Sequence, residues 1–458
     1  MGMKCQCMGI FGNIWRFKMI RLIKDKKYNF TSVFNDKTGE YLRGIDREDD
    51  PFQAEYPHLI DIGVMSFCQH GASGLCMKAG IKCYQNGLHL RGDNMTLDNF
   101  KKIIDWSKGR MFEAALGGRG DVDMHENFEE ILAYSRANGI VPNFTTSGLG
   151  MTPEKAAICK TYCGAVAVSM YSRLSDTIPE LALRRVHSEK NRKIYKSEED
   201  IPVKFTLGNI DENCMWDAPE YKIDGLSYSW DELHHMYYSD EPQEYEFYRV
   251  YNEKQEPNYT MRAIKMLLDA GVKTNIHYVL SNTTIDEALI RLKYNGFPKG
   301  INAIVFLLHK PVGLGTEEDV LKVDDPRVAE FFELVDKGNF PFKIGFDSCS
   351  IPGVLKWSKH IDTCSIDTCE GSRFSMYITA DMKALPCSFD NQNQKYAVQL
   401  SDEVTIEDAW NSPKFELFRN SLRNSCPNCP KRELCMGGCP LERSIVLCNE
   451  KEKELYEC

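Results

Sequence analysis

From Leu59 onward, short apolar runs alternate with longer stretches whose apolar residues recur every three or four positions. Runs at Leu59–Phe67, Met111–Gly118, Val141–Ser147, Ala165–Met170, Lys273–Leu280 and Ile301–Leu308 are the length of buried strands. The intervening stretches Thr96–Gly109, Glu126–Asn138, Thr152–Cys163, Tyr259–Ala270, Thr283–Asn295 and Pro326–Gly338 read as helices. In Glu126–Asn138, for example, Phe128, Ile131, Leu132 and Tyr134 share one face. Strand and helix in strict alternation predict an α/β fold with a parallel sheet and right-handed crossovers. Phe342–Asp347 adds a candidate seventh strand.

Two stretches break the rhythm. The first 58 residues are a short preface in which Tyr28–Phe34, Asn35–Gly39 and Glu40–Arg43 predict a β-hairpin. It is too small to bury a core of its own and is expected to be a lid over a barrel end rather than a binding module. The second break, about Tyr171 to Asn258, puts roughly 85 residues where a βα loop is normally short. That insertion is rich in Tyr, Glu and Asp, with Trp216, Trp230 and His234–His235. It reads equally as a substrate lid at the mouth and as a surface elaboration.

Composition narrows the class. A hydrophobic share of 43% and a net charge of −10 fit a globular chain and argue against a general grip on nucleic acid. No apolar run is long enough to span a bilayer. Met1–Lys27 lacks the apolar core and cleavage site of a signal peptide, and Met19 is an alternative start. A cytoplasmic protein is expected.

The 18 cysteines cluster, which suits ligands in a reducing compartment better than disulfides. Near the C-terminus lie Cys426-x2-Cys429-x5-Cys435-x3-Cys439, with Cys448 and Cys458 beyond. Upstream, Cys68-x7-Cys76-x6-Cys83 follows the first strand directly. Dense thiolates hold zinc or an iron–sulfur cluster. For the upstream triplet, spacing alone leaves open a three-ligand cluster with one free iron, a structural zinc site, or unrelated core thiols. Its place at a C-terminal strand end, where βα barrels keep their chemistry, favours a site. The second strand ends in Gly117-Gly118-Arg119-Gly120-Asp121, and glycines there let the backbone approach a ligand.

With these motifs in place, the chain resembles a radical S-adenosylmethionine (SAM) enzyme of the SPASM subgroup. Gly117-Gly118-Arg119 stands where that family ends its second strand, and Thr145-Thr146-Ser147-Gly148 where it ends its third. Ser169 matches a polar residue that contacts SAM. Cys369-Glu370-Gly371, Ala380–Cys387, Trp410–Pro413, Phe415–Arg419 and the four-cysteine run with Gly437-Gly438 follow the SPASM pattern. The likeness covers about Leu59 to Cys458, apart from the insertion. Three features depart from it: the expanded cysteine loop, Arg119 where Glu is common, and Met382 where glycine is usual.

The resemblance implies a partial (β/α)6 TIM-like barrel over residues 59–345, with the insertion at about 172–258, and a small cysteine-rich SPASM domain over 346–458. It implies a [4Fe–4S] cluster on Cys68, Cys76 and Cys83, its open iron taking SAM, with Gly117, Gly118, Arg119, Thr146, Ser147 and Ser169 around the cofactor. Reductive cleavage of SAM would give a 5′-deoxyadenosyl radical that abstracts a substrate hydrogen. Two auxiliary [4Fe–4S] clusters are implied in the tail. Cys369, Cys387 and Cys439 would hold one, with Cys364 as fourth ligand and Cys349 as the alternative. Cys426, Cys429, Cys435 and either Cys448 or Cys458 would hold the other.

A peptide or protein substrate is preferred, with flavodoxin or ferredoxin as electron donor. The alternatives are a small-molecule substrate (a sugar, nucleoside or cofactor precursor) and a non-enzymatic iron–sulfur or zinc protein. Ser388 follows Cys387 where sulfatase-maturing relatives carry Asp, which weighs against formylglycine formation. Cys159 and Cys163 read as core thiols, Cys214 as a thiol of the insertion, and His309 as a structural histidine rather than a proton donor.

Overall fold

The computed structural model describes residues 20–44, 51–73, 82–170, 259–293, 296–361, 365–426 and 428–449, together with five strands between 180 and 250. In chain order the strands are β1 (Ile20–Asp25), β2 (Phe30–Asn35), β3 (Tyr41–Arg43), β4 (Leu59–Met65), β5 (Glu113–Gly118), β6 (Val141–Thr146) and β7 (Val166–Ser169). The insertion carries β8 (Glu180–Arg185), β9 (Val203–Phe205), β10 (Tyr221–Ile223), β11 (Leu226–Tyr228) and β12 (Tyr245–Val250). After it come β13 (Thr274–Leu280), β14 (Ala303–Leu308), β15 (Lys343–Phe346), β16 (Ser375–Ile378), β17 (Lys383–Leu385) and β18 (Val398–Gln399).

Residues 1–171 and 259–458 form one compact unit and 172–258 another. In the first unit the sheet order is β15-β14-β13-β7-β6-β5-β4, with every neighbouring pair parallel. This is the expected barrel-type αβ sheet, with Phe342–Asp347 supplying its seventh strand. Helices Leu97–Ser107, Phe128–Ala137, Pro153–Tyr162, Tyr259–Asp269, Ile285–Lys293 and Pro326–Lys337 fall on the six expected stretches. Their starts are chemically marked: Thr96, Thr152 and Asp325 each accept a backbone N–H of their own first turn.

Alternation along each strand sends apolar residues outward onto the helices. Ile276, Tyr278 and Leu280 on β13, and Ile304, Phe306 and Leu308 on β14, are buried in that layer. Aromatic edges interlock there, with Phe306 and Phe331 centroids 4.9 Å apart. The residues between them line a cavity of about 290 Å³ that includes Glu113, Ala115, Asn143, Thr145, Ala167, Asn275 and His277. A closed TIM barrel fills its centre with bulky branched side chains. Small and polar residues here leave room instead.

The N-terminal hairpin is present, but β1 joins it as a third antiparallel strand that its short, basic sequence did not reveal. Phe34 stacks on Phe112 at 5.3 Å, Arg21 donates to the carbonyls of Phe112 and Gly139, and Lys273 Nζ donates to those of Lys37 and Thr38. Those partners lie at the N-terminal starts of β5, β6 and β13. The expected lid is therefore a floor, at the end of the barrel away from the cysteine loop.

Glu113 sits just above that floor and accepts a hydrogen bond from Asn143 Nδ2 at 2.8 Å. Burial pushes its carboxyl up to about 7. Folding then favours the protonated form, so this group's stabilising contribution is full below the usual carboxylate range and is lost as pH rises to about 7. Glu113→Gln should raise stability by about 1–3 kcal/mol at pH 8 and leave it unchanged at pH 4. Denaturant titrations at the two pH values check this.

The sheet does not stop at β4. β16 adds beside it in parallel, with Tyr377 opposite Asp61, and β17 and β18 continue antiparallel to give ten strands. The C-terminal hairpin thus grows directly from the barrel edge. Behind it the buried Arg419 donates to the carbonyls of Ser372 (2.6 Å) and Trp410 (2.8 Å), and Trp410 donates to that of Ala54. The second unit is a five-stranded sheet in the order β11-β10-β8-β12-β9. Cys214, Trp216, Trp230, His234 and His235 lie outside the described residues.

Candidate functional site

β4 delivers the chain into the cysteine loop at the C-terminal end of the sheet. Cys68 accepts the Gly71 N–H at its sulfur, 3.4 Å away. Burial pushes its thiol up, and the charge of the nearby Cys83 adds to the effect. Cys76 lies outside the described residues.

Arg119 closes the loop's two ends. Its Nε donates to Gln85 O at 3.0 Å, and its Nη1 to Ser66 O and Oγ at 3.3 Å. Those residues flank Cys83 and Cys68. Placed by sequence beside the cofactor, Arg119 is seen here clamping the cysteine loop to β5.

The glycines of β5 separate into two kinds. Gly118 has φ +116, and a Cβ there would stand 2.2 Å from Met65 O. A Cβ at Gly120 would stand 2.2 Å from Phe67 O. These two let β5 pass the backbone that leads into Cys68. A Cβ at Gly117 would meet nothing within 4 Å. Its glycine answers no crowding within the chain and leaves an open cradle at the strand end.

Thr146 is buried and donates to Asp123 Oδ1 at 2.7 Å. Burial pushes Asp123 up to about 6. Ser147 donates to Asp121, and its Oγ lies 2.6 Å from His70 Nε2. The same Nε2 is 3.2 Å from Asp121 Oδ2. A hydrolytic triad needs the two ring nitrogens on opposite partners. Here one nitrogen faces both, so the trio ties the cysteine loop to the ends of β5 and β6 rather than activating a nucleophile. Sequence reading missed His70 and Asp121. Their only signal was proximity, since His70 follows Cys68 by two positions and Asp121 extends the glycine motif. Ser169 ends β7 opposite His277.

The C-terminal thiols gather in two groups. In the first, Cys349 packs against Cys439, and that neighbour together with Lys310 draws the Cys439 thiol down to about 7 against its burial. The charge of Cys439 is felt at both Cys369 and Cys387, and burial pushes Cys387 up to about 12. Cys349, the alternative to Cys364, thus lies beside Cys439, while Cys364 itself lies outside the described residues. In the second group Cys435 feels Cys448 and Cys426, and burial pushes it up to about 11. The N–H of Cys429 donates to the Cys426 carbonyl at 3.1 Å. Cys458 lies outside the described residues.

Backbone geometry supports these loops. Met436, Gly437 and Gly438 run left-handed in succession between Cys435 and Cys439. Met382 keeps a left-handed φ of 62° where the resembled family uses glycine. Among the described residues, no three His, Cys, Asp or Glu converge tightly enough for a single metal ion.

The two ends of the site touch. Tyr84, next to Cys83, packs on Phe389, two residues past Cys387, with centroids 4.8 Å apart. Asn391 Nδ2 donates to Gln85 Oε1 and Gln392 Nε2 to Tyr84 O. Cys159 is buried in the helix layer, and burial pushes Cys163 well up, as expected of core thiols. His309 lies 3.2 Å from Thr316 O through Nε2, and burial lowers it, in keeping with a structural histidine.

Residues 369–430 match the iron-sulfur cluster-binding domain SPASM. In fold the chain is similar to Streptococcus suis SuiB bound to S-adenosylmethionine, with TM-score 0.57 and 11% identity over 94% of this chain and 99% of that one. SuiB bound to precursor peptide SuiA gives 0.54 and 11% over 94% and 98%. No curated protein matches the chain in sequence.

Proposed function

We propose that this chain, a SPASM-type radical SAM enzyme by its fold and its C-terminal domain, is a maturase that abstracts hydrogen from a peptide or protein side chain. The observation that carries the reading is the direct contact between the Cys83 loop and the segment that follows Cys387. The similarity in fold to an enzyme crystallised with a precursor peptide supports the peptide class.

Cys68, Cys76 and Cys83 would hold a [4Fe–4S] cluster, and Gly117 would offer its bare backbone to SAM. Cys349, Cys369, Cys387 and Cys439 would hold one auxiliary cluster, and Cys426, Cys429, Cys435 and Cys448 the other. The cluster and SAM together would supply the radical chemistry of hydrogen abstraction, with a flavodoxin- or ferredoxin-like protein as electron donor. The chain's own contribution is placement. Arg119 fixes both ends of the cysteine loop, and Asp121, His70 and Ser147 lock that loop to two strand ends. Tyr84 packs on Phe389 and so ties the segment after Cys83 to the segment after Cys387.

Anaerobically reconstituted protein, given SAM, a reductant and candidate short peptides, should yield 5′-deoxyadenosine together with a mass change on one peptide. Iron analysis should approach about twelve irons per chain, as three cubane clusters require. Deoxyadenosine with a modified metabolite and no peptide change would move the substrate to the small-molecule class. Iron-poor protein without deoxyadenosine would sink the enzymatic reading.

A further inference from the structure

We propose that Lys310 is the built-in counter-charge of the Cys349, Cys369, Cys387 and Cys439 site, and that it raises the reduction potential of the cluster that site would hold. The inference rests on the auxiliary-site reading above. Lys310 follows the end of β14 by two residues and is only 4% exposed. Its Nζ donates to Asp347 Oδ2 at 2.7 Å and to Leu308 O at 3.1 Å, and lies 4.3 Å from the centre of the Phe389 ring. Asp347 precedes Cys349 by two residues, and Phe389 follows Cys387 by two. The ammonium is thus pinned between the segments that present these two thiols, and its charge is felt at Cys349, Cys439 and Cys387.

Stability alone is a poor reason for this arrangement. A buried ion pair loses in desolvation much of what it gains in attraction, and apolar residues of similar volume do as well. Asp347 is also committed elsewhere. Its Oδ1 accepts from Ser350 N at 3.1 Å and Ser350 Oγ at 2.6 Å, and its Oδ2 from Leu308 N at 3.2 Å. The carboxylate is spread over several donors, whereas the ammonium is the cation held between the Cys349 and Cys387 segments; Arg373, which donates to the Cys369 carbonyl, is a second cation beside the site. A thiolate-ligated cluster gains negative charge on reduction, so a fixed buried cation favours the reduced form. Lys310 acts through the cluster and is a positioning residue.

The test compares wild type, Lys310→Met and Lys310→Arg in the full reconstituted chain by potentiometric titration followed by electron paramagnetic resonance. Cys349→Ser identifies the relevant signal by removing or altering it. In Lys310→Met that auxiliary midpoint should move to more negative potential, while the signal that responds to added SAM keeps its midpoint. Lys310→Arg should stay near wild type. Should Lys310→Met fail to load clusters, Lys310→Gln carries the same expectation. Unchanged midpoints in a fully loaded neutral variant, or an equal shift in Lys310→Arg, overturn the proposal. Wild-type protein with iron for the upstream site alone overturns the auxiliary-site reading beneath it.

Discussion

Cys83→Ala should abolish SAM cleavage, with 5′-deoxyadenosine formation falling at least about a hundredfold. The effect is large because Cys83 is joined to both halves of the proposed machinery. Its charge is felt at Cys68, and its carbonyl accepts from Leu314 N at 3.0 Å. Its neighbour Tyr84 reaches Phe389 in the C-terminal segment. Removing the sulfur leaves two ligands where three are proposed, yet the backbone contacts remain, so the chain should still fold. Cys429→Ala is the informative partner, because its loop lies in the second thiol group and should leave SAM cleavage in place while product is lost. The check is deoxyadenosine quantified alongside far-ultraviolet circular dichroism. Full turnover in Cys83→Ala would remove it from the ligand set.

Gly118→Ala should both destabilise the chain and cut SAM cleavage at least about tenfold. Its backbone, at φ +116, is one that side chains rarely adopt, and the added Cβ would stand 2.2 Å from Met65 O and 2.9 Å from Met65 N. Strain of about 1–3 kcal/mol is expected. Relief requires β4 and β5 to part where Arg119 N donates to Met65 O, three residues before Cys68. Gly117→Ala separates the two roles of the glycine pair. With nothing within 4 Å of its Cβ, it should melt near the wild type while binding SAM more weakly. Melting curves and SAM affinities of the two variants measure the contrast. Equal losses of stability would contradict it.

The barrel was legible because its signals are local. Thr96, Thr152 and Asp325 announce helix starts, and the apolar spacing of each stretch says which face is buried, without knowledge of the neighbour that buries it. The thiol inventory was equally plain. β1 was not, since a six-residue stretch in which Arg21, Lys24 and Asp25 interrupt three apolar residues becomes a strand only through pairing with β2. Nor was the floor, since a hairpin carries no mark of which barrel end it covers until Phe34 meets Phe112 and Arg21 finds the carbonyl of Gly139.

By itself, then, the order of residues determined the alternation of strand and helix, the strand ends at which chemistry would gather, and the supply of sulfur and glycine there. Only the folded chain decided which sulfurs meet: Cys349 with Cys439 across ninety positions, and Cys448 with Cys435 and Cys426. It also showed Arg119 clamping the cysteine loop and set Lys310 among thiols. The reason is physical. Periodicity and capping act within a turn or two of chain, whereas a thiol's partners are chosen by how β15, β16 and the C-terminal loops stack, and that stacking is fixed by packing between segments far apart in sequence.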